Sequence, residues 1–216
     1  RHRHHAQGCT GHCSEIMVFY PEDGVSDMQK RQMVTQEGSN VNVCAVKGNF
    51  DDCQSGVKKI FTDKTVKEEL AAGNMRFSSA NSINWGRLVP QIVYYVSSYV
   101  TLVQQGELKM GETLNVVVPT GNFGNILAAY YAKQMGVPLG KLICASNINK
   151  VLTDFINTGV YNRNREFYAT CSPSMDILIS SNLERLLYLL TGEDDAQIRE
   201  WFTALSETGT YEVTDA

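Results

Sequence analysis

The residues with the clearest capacity for chemistry lie in the stretch VVVPTGNFGN, residues 116–125. A β-branched apolar run ends there in Pro119-Thr120, and the short turn Gly121-Asn122-Phe123-Gly124-Asn125 opens a helical pattern rich in Ala and Leu. A strand, a glycine turn and a helix start direct backbone N–H groups and the helix dipole at an anion. We expect Gly121 and Gly124 to permit positive φ and to let backbone amides approach a ligand without an intervening Cβ. The turn is therefore predicted to bind an anion, although a tight turn that needs glycine only for steric reasons is the simpler alternative.

The class of anion can be narrowed from the residues of the turn. A dinucleotide-binding turn would read G-x-G-x-x-G, and here Phe123 occupies the place of the second glycine. The next predicted strand ends in Ser146-Asn147 rather than in the acidic residue that would hold a ribose. No Lys-Ser or Lys-Thr pair follows Gly124, which excludes a P-loop. The turn suits a lone phosphate group, such as that of pyridoxal phosphate, better than a nucleotide.

The elements that must position this turn alternate between strand-like and helix-like patterns. Strands are predicted at IMVFYP (16–21), NVNVCAVKG (40–48), LNVVVPT and KLICAS. Helices are predicted at DMQKRQMVTQEG, ending at Gly38, and at NFDDCQSGVKKIFTD, Leu88 to Val103, NILAAYYAKQMG, NKVLTDFINTG, SPSMDILISSNLERLLYLLTG and DDAQIREWFTALSETG. This alternation predicts an α/β fold with an open, mostly parallel, twisted sheet and helices on both faces.

The first residues of the chain stand apart in composition. All four histidines (His2, His4, His5 and His12) lie among them with Arg1 and Arg3, so we interpret residues 1–15 as a tag-like leader and residues 16–216 as one α/β portion. Cys9, His12 and Cys13 have a spacing that could bind a metal, but their place in this leader argues against a metal site, and we predict none.

Composition limits the partners and the compartment. A formal net charge of −4 argues against nucleic acid as a partner. The longest apolar stretch, Leu88 to Val103, is too short and too polar to cross a membrane comfortably. Six irregularly spaced cysteines predict a reducing, cytoplasmic environment, with Cys44, Cys53 and Cys144 acting as small buried hydrophobes.

Several polar residues outside the turn have two interpretations. Asn81 and Asn84 of SANSIN start a helix and could face the active-site cleft, but helix capping by Ser79 or Asn81 is the simpler expectation. The two arginines of NRNREF (162–167) could meet an anionic substrate, but a solvated loop is the expectation there.

Five blocks, in order along the chain, strongly resemble the threonine synthases, pyridoxal-phosphate enzymes of fold type II. The blocks are VFYPEDGVSDMQKRQMVTQEGSNV, VKGNFDDCQSGVKKIF, SSANSINWGRLVPQIVYY, PTGNFGNILAAYYAKQMGVPLGKLICASN and SPSMDILISSNLERLLY. The resemblance covers about Ile16 to the C-terminus. It implies that Gly121, Asn122, Phe123, Gly124 and Asn125 bind the phosphate of pyridoxal phosphate. It also implies that the whole enzyme converts O-phosphohomoserine and water into threonine and phosphate, with the cofactor as electron sink.

Parts of the family's site have no match here. The family's Schiff-base lysine belongs to a segment N-terminal to these blocks, and none of the ten lysines has its lysine-aspartate setting, including the nearest two, Lys47 and Lys64. The family's substrate-phosphate loop should lie just before Ile16, where GCTGHCSE does not match it. The hydroxyl partner of the pyridine nitrogen is expected beyond Ala216. We therefore expect a central portion of the enzyme that has no catalytic residue of its own, is inactive alone, and self-associates through exposed apolar surface.

Two other functions remain open from the residues. One is a related fold type II lyase such as threonine dehydratase or cysteine synthase. The FDDCQ and SANSIN blocks argue against this alternative. The other is a non-catalytic module that binds phosphate or a nucleotide, which fold alone would not distinguish.

Overall fold

The structure, a computed structural model, describes residues 14–22, 25–48, 50–79 and 81–213. The chain divides into two compact units, Arg1–Phe77 and Ser78–Ala216. Residues 1–13 of the predicted leader, with Cys9, His12 and Cys13, lie outside the described residues.

The first unit is built around two parallel strands. Its elements are β1 (Ile16–Pro21), α1 (Asp27–Val34), β2 (Val41–Val46), α2 (Phe50–Thr62) and α3 (Lys64–Ala72). Ile16 lies opposite Val41 in the parallel pair. Ser26 caps α1 by accepting from the Gln29 N–H at 3.3 Å, and Asp63 caps α3 by accepting from the Val66 N–H at 3.1 Å.

The second unit carries the predicted anion-binding turn. Its elements are α4 (Trp85–Leu88), a 3₁₀ turn (Val89–Gln91), α5 (Ile92–Gln104), β3 (Leu114–Pro119), α6 (Gly124–Gln134), β4 (Leu139–Ala145), α7 (Val151–Thr158), β5 (Val160–Asn162), a second 3₁₀ turn (Pro173–Met175), α8 (Leu183–Leu190), α9 (Asp195–Glu207) and β6 (Thr210–Glu212). Strands β3 and β4 are parallel, and β5 and β6 are antiparallel. The parallel pairs and their helices give the α/β architecture that the alternation predicts.

The β3–β4 pair brings two loops to one edge. The pairing is irregular between Leu114 and Val116, where the Asn115 side chain accepts a hydrogen bond from the Lys141 N–H at 2.8 Å. Beyond β3 the ladder continues through the Thr120 N–H, which donates to the Ala145 carbonyl at 2.9 Å. Because both strands run in the same direction, the turn before α6 and the loop after β4 meet at the carboxyl edge of the pair.

Helix α6 is the centre of the core in this unit. It packs against α4, α5, α8 and β4. Its Leu127, Ala128, Ala129 and Ala132 are fully buried. Alanine adds little bulk, so neighbouring elements approach α6 on several sides and fix the position of its first turn.

An aromatic cluster holds the two short strands that the sequence patterns did not predict. Tyr161 of β5 and Tyr211 of β6 stack with centroids 5.2 Å apart, and Phe155 meets both rings edge-on. Burial raises the pKa of Tyr211 far above its ordinary value. Aromatic packing rather than ladder length therefore stabilises this pair of three-residue strands.

Three predictions about local structure are wrong. Helix α1 ends at Val34 rather than at Gly38. The predicted helix from Ser172 to Gly192 is helical only over Leu183–Leu190 and in the Pro173–Met175 turn, because polar side chains between them bond to other segments. Cys44 is exposed on β2 and Cys144 is half-buried on β4, whereas only Cys53 of the three is buried as expected.

In the described part of the chain, none of the helices has the length and apolar character needed to cross a bilayer.

Candidate functional site

The turn between β3 and α6 contains one residue in the left-handed region, and it is not a glycine. Phe123 has φ 61° and ψ 3°, whereas Gly121 and Gly124 do not have positive φ. The expectation that these glycines supply positive φ is therefore wrong. Phe123 adopts this strained conformation while its ring is only 5% exposed, so burial of the ring offsets the backbone cost.

The two glycines are required instead for close approach. A Cβ on Gly121 would lie 2.5 Å from the Ser174 carbonyl oxygen. A Cβ on Gly124 would lie 2.6 Å from Ser82 Cβ and 2.7 Å from Ser82 Oγ. The absence of a side chain thus lets the segments around Ser82 and Ser174 close against the turn.

The N–H groups and the carbonyl groups of this turn have different partners. The Gly121 carbonyl accepts from Ser180 Oγ at 3.0 Å, and the Asn122 carbonyl accepts from Asn182 through its N–H at 3.2 Å and Nδ2 at 2.8 Å. Within the described ranges, no group accepts a hydrogen bond from the N–H groups of residues 121–126, and no side chain caps α6. Consecutive free donors at a helix N-terminus fit an anionic oxygen cluster such as phosphate.

The side chain of Asn125 is committed to a network inside the protein. Its Oδ1 accepts from the Tyr95 hydroxyl at 2.6 Å, and its Nδ2 donates to Gln91 Oε1 at 3.0 Å. Gln91 Nε2 donates in turn to Ser82 Oγ at 3.2 Å and to the Arg87 carbonyl at 3.0 Å. These bonds fix the orientation of the Asn125 side chain, which leaves its backbone N–H and the second hydrogen of Nδ2 for a ligand.

Two further asparagine side chains lie at the turn with unused oxygens. Asn182 is fully buried, and its Oδ1 has no partner in the described structure. The Oδ1 of Asn122 is likewise buried without a partner. Buried unpartnered oxygens are costly in a folded protein, which is consistent with a site that is completed by a bound molecule or water.

A buried carboxylate fixes the loop after β4. Asp176 accepts from Asn147 Nδ2 at 2.6 Å, from Asn149 Nδ2 at 3.2 Å, and from the backbone N–H and hydroxyl of Thr170, both at 2.7 Å. Ser174, which contacts the turn, lies two residues before Asp176. The carboxylate therefore acts as a structural acceptor that holds the segment beside the turn.

The SANSIN segment is fixed by capping and by Arg185. Asn84, rather than Ser79 or Asn81 as expected, caps α4 by accepting from the Gly86 N–H at 3.0 Å. Asn81 accepts from the Ile83 N–H at 3.1 Å, within the turn that precedes the helix. Arg185 donates to the Ile83 carbonyl and lies 5.7 Å from the centroid of the Trp85 ring.

The structure thus places Gly121, Asn122 and Phe123 in the turn and Gly124 and Asn125 at the start of α6, and it adds residues that the patterns missed. The added residues around the turn are Ser82, Gln91, Ser180 and Asn182. Polar residues beside apolar segments could have indicated some of these positions. Gln91 interrupts the apolar run from Leu88 to Val103, and Ser180-Ser181-Asn182 immediately precedes an apolar helix.

The described residues contain neither a buried lysine nor a cluster of metal-binding side chains. All ten lysines occupy exposed positions, including Lys47 and Lys64. Within residues 14–22, 25–48, 50–79 and 81–213, no three His, Cys, Asp or Glu side chains come together as a metal site.

No protein-family model matches the chain. The protein "Threonine synthase-like 1" of Homo sapiens is 49% identical over 204 residues, covering 93% of this chain and 27% of that protein. The "Threonine synthase" of Eremothecium gossypii is 42% identical, covering 93% of this chain and 39% of that protein. The crystal structure of "PLP bound Threonine synthase from Brucella melitensis" aligns with a TM-score of 0.77 and 40% identity, covering 93% of this chain and 41% of that one. The chain therefore spans between about a quarter and two fifths of the length of these relatives.

Proposed function

Because the chain belongs to the threonine synthase family, we propose that its β3–α6 turn holds the phosphate of pyridoxal phosphate. The ligands are the backbone N–H groups of Gly121, Asn122, Phe123, Gly124 and Asn125. The observation that carries this proposal is the run of N–H groups over residues 121–126 that have no acceptor in the described residues. The solved relative from Brucella melitensis, whose title names bound PLP, supports the choice of cofactor.

The residues around the turn bind and orient the phosphate rather than react with it. Ser180 and Asn182 hold the carbonyls of Gly121 and Asn122, which leaves the N–H groups of the turn directed elsewhere. The positive end of α6 adds to the attraction for a dianion. When bound, pyridoxal phosphate supplies the electron sink for bond breaking on an amino-acid substrate.

We propose that the complete enzyme converts O-phosphohomoserine and water into threonine and phosphate. Residues 1–216 are inactive alone in this proposal, because covalent attachment of the cofactor needs a lysine beside the turn. The lysines of this chain are all exposed, and two of them have contacts away from the turn: Lys133 Nζ donates to the Gly140 carbonyl at 2.6 Å, and Lys150 pairs with Asp154 at 3.5 Å.

Ligand binding by the chain tests the phosphate site. Pyridoxal phosphate and inorganic phosphate should compete for one site, whereas pyridoxal, which lacks the phosphate, should bind at least about tenfold more weakly. Equal affinity for pyridoxal and pyridoxal phosphate would contradict the proposal.

A second measurement tests the absence of a catalytic lysine. After borohydride reduction with pyridoxal phosphate, mass spectrometry should find no single lysine modified stoichiometrically, and O-phosphohomoserine should release phosphate only at the background rate. Stoichiometric labelling of one lysine, or turnover by the chain alone, would show that it carries its own attachment site.

We also place the protein in the cytoplasm as a proposal. The described cysteines Cys44, Cys53, Cys144 and Cys171 are free thiols, as in a reducing compartment. Cell fractionation with an antibody to this chain tests the assignment.

A further inference from the structure

Helix α5 has a buried face and a second apolar face that is exposed. Tyr95 and Tyr99 lie on the buried face. The second face carries exposed valines at intervals of four, three and four residues, beginning in the 3₁₀ turn that leads into the helix. These valines, which we call the valine stripe, are Val89, Val93, Val96 and Val100.

The spacing of the valine stripe is that of a seam between two helices. Alternating intervals of four and three residues keep side chains in one line along a helix, and β-branched residues at such positions are typical of two-stranded pairs. The stripe lies on the convex surface of a helix, whereas small molecules bind in concave sites. It therefore fits the apolar face of another helix.

The stripe also lies in an uncharged segment. Residues 88–106 include no Asp, Glu, Lys, Arg or His, whereas each of the other α-helices that the structure describes has at least one charged residue. A charged helix face laid on the stripe would lose hydration of its charges and gain no partner for them. The occupant should therefore be a helix face that is uncharged as well as apolar.

The valine stripe itself meets this requirement. Among the other described helices, none has exposed apolar side chains repeated at these intervals. The chain carries a formal net charge of −4, so charged faces of two copies tend to repel each other, and this face avoids that repulsion. We propose that the valine stripe docks against the valine stripe of a second copy of this chain, in a dimer with two-fold symmetry.

Sedimentation velocity of the unmodified chain over a range of micromolar concentrations tests the proposal. We expect a monomer–dimer equilibrium without larger species, because a contact between two identical surfaces closes on itself. Val93→Lys should raise the dissociation constant of the dimer at least about tenfold, since the symmetry places both new charges in the same interface. Val93 is 60% exposed, so the change leaves the core intact.

Ile156→Lys is the matched control. Ile156 is also β-branched, lies on helix α7 and is 56% exposed. It lines an apolar groove with Leu183 and Leu187, so this variant also tests whether copies associate through that groove. The dissociation constant of Ile156→Lys should stay within about twofold of that of the unmodified chain.

A second variant separates association from folding. Val96→Thr keeps the shape of valine but adds a hydroxyl, so it should weaken the dimer by a smaller factor than Val93→Lys. Circular dichroism at a concentration where the proteins are monomeric should give the same helical content for both variants and for the unmodified chain.

Three results would overturn the proposal. A monomer at every concentration would show that a second copy does not cover the stripe, and would assign it to a segment that the longer relatives have outside these residues. Assembly beyond the dimer would contradict the two-fold contact. A Val93→Lys dimer as stable as the unmodified one, or loss of the dimer in Ile156→Lys, would place the interface elsewhere.

Discussion

Phe123 combines two opposing contributions to stability in one residue. Its positive φ of 61° disfavours any residue with a Cβ, whereas its buried ring belongs to the same apolar core cluster as Leu183 and Leu187. A non-glycine residue in the left-handed region costs on the order of 1–2 kcal/mol. Loss of a buried phenyl ring costs more, about 3–5 kcal/mol. The free energy gained by burying the ring therefore exceeds the cost of the positive φ, which explains why phenylalanine rather than glycine occupies this position.

Paired substitutions at Phe123 separate these contributions. Both Phe123→Ala and Phe123→Gly should destabilise the protein by about 3–5 kcal/mol. The glycine variant should be the less damaged by about 1 kcal/mol, because glycine relieves the positive φ. Urea denaturation measures the difference.

Phe155 provides the matched control. It is a buried phenylalanine inside helix α7, where glycine is about 1 kcal/mol worse than alanine. The order of the two variants should therefore reverse at Phe155. The same order at both positions would contradict the strain assigned to Phe123.

At the scale of elements, the loop after β4 depends on a single carboxylate. Asp176→Asn replaces an oxygen that accepts from Asn147, Asn149 or Thr170 with an amide that cannot accept, so we expect a loss of about 2 kcal/mol in the free energy of unfolding. Asp194→Asn is the control, because Asp194 caps α9 and asparagine caps equally well. Urea denaturation of the two variants should differ clearly, and equal stability would show that Asp176 does not hold the loop.

Helix α7 and the loop after β5 are joined by an ion pair that depends on pH. Arg165 donates to Asp154 at 2.7 Å, and this hydrogen bond, with help from Lys150, lowers the pKa of Asp154 below its ordinary value. A lowered folded-state pKa means that the stabilisation is complete above the unfolded pKa, which is about 4, and is lost as pH falls through the folded value. The pair is partly exposed, so its contribution is between a few tenths and about 1 kcal/mol.

Asp154→Asn tests this linkage. At pH 7 the variant should be the less stable, and the difference should shrink as the pH falls below about 4 and through the lowered pKa of Asp154. Thermal midpoints across this range supply the measurement, and a constant difference would refute the linkage.

Elements with a strong local pattern could be predicted from the sequence, and elements set by distant contacts could not. Strands β1 to β4 and helix α6 followed from apolar runs and glycine boundaries. The stretch from Pro173 to Asn182 looks helical, but Asp176, Ser180 and Asn182 bond to segments that are remote in sequence. Strands β5 and β6 are three residues each and depend on the packing of Tyr161 and Tyr211, which no local pattern reveals.

The candidate site likewise combines residues that a local sequence pattern predicts with residues that only folding brings together. The turn itself was predictable because glycine, asparagine and a helix start are contiguous in sequence. The residue with positive φ was not, since Phe123 is stabilised there by burial against other elements. Ser82 and Gln91 join the site only through folding.

At the scale of the molecule, every described contact of the candidate site lies in one of the two compact units. The turn, Ser82, Gln91, Asp176 and Asn182 all belong to Ser78–Ala216. We therefore expect a chain that starts at Ser78 to fold and to bind inorganic phosphate within about twofold of the full chain. Circular dichroism and calorimetry check this, and loss of binding in a folded 78–216 chain would show that residues before Ser78 contribute to the site.

The stacking of Arg185 on Trp85 gives the molecule an optical property. The chain has two tryptophans, and they lie in different environments: Trp85 borders the segment that carries Ser82, and Trp201 stacks on Tyr211 in the aromatic cluster. Emission from Trp85 should respond when an anion binds at the β3–α6 turn, whereas emission from Trp201 should follow unfolding alone. The tryptophan emission of a Trp201→Phe variant should therefore change when the ligand binds, and the emission of a Trp85→Phe variant should not.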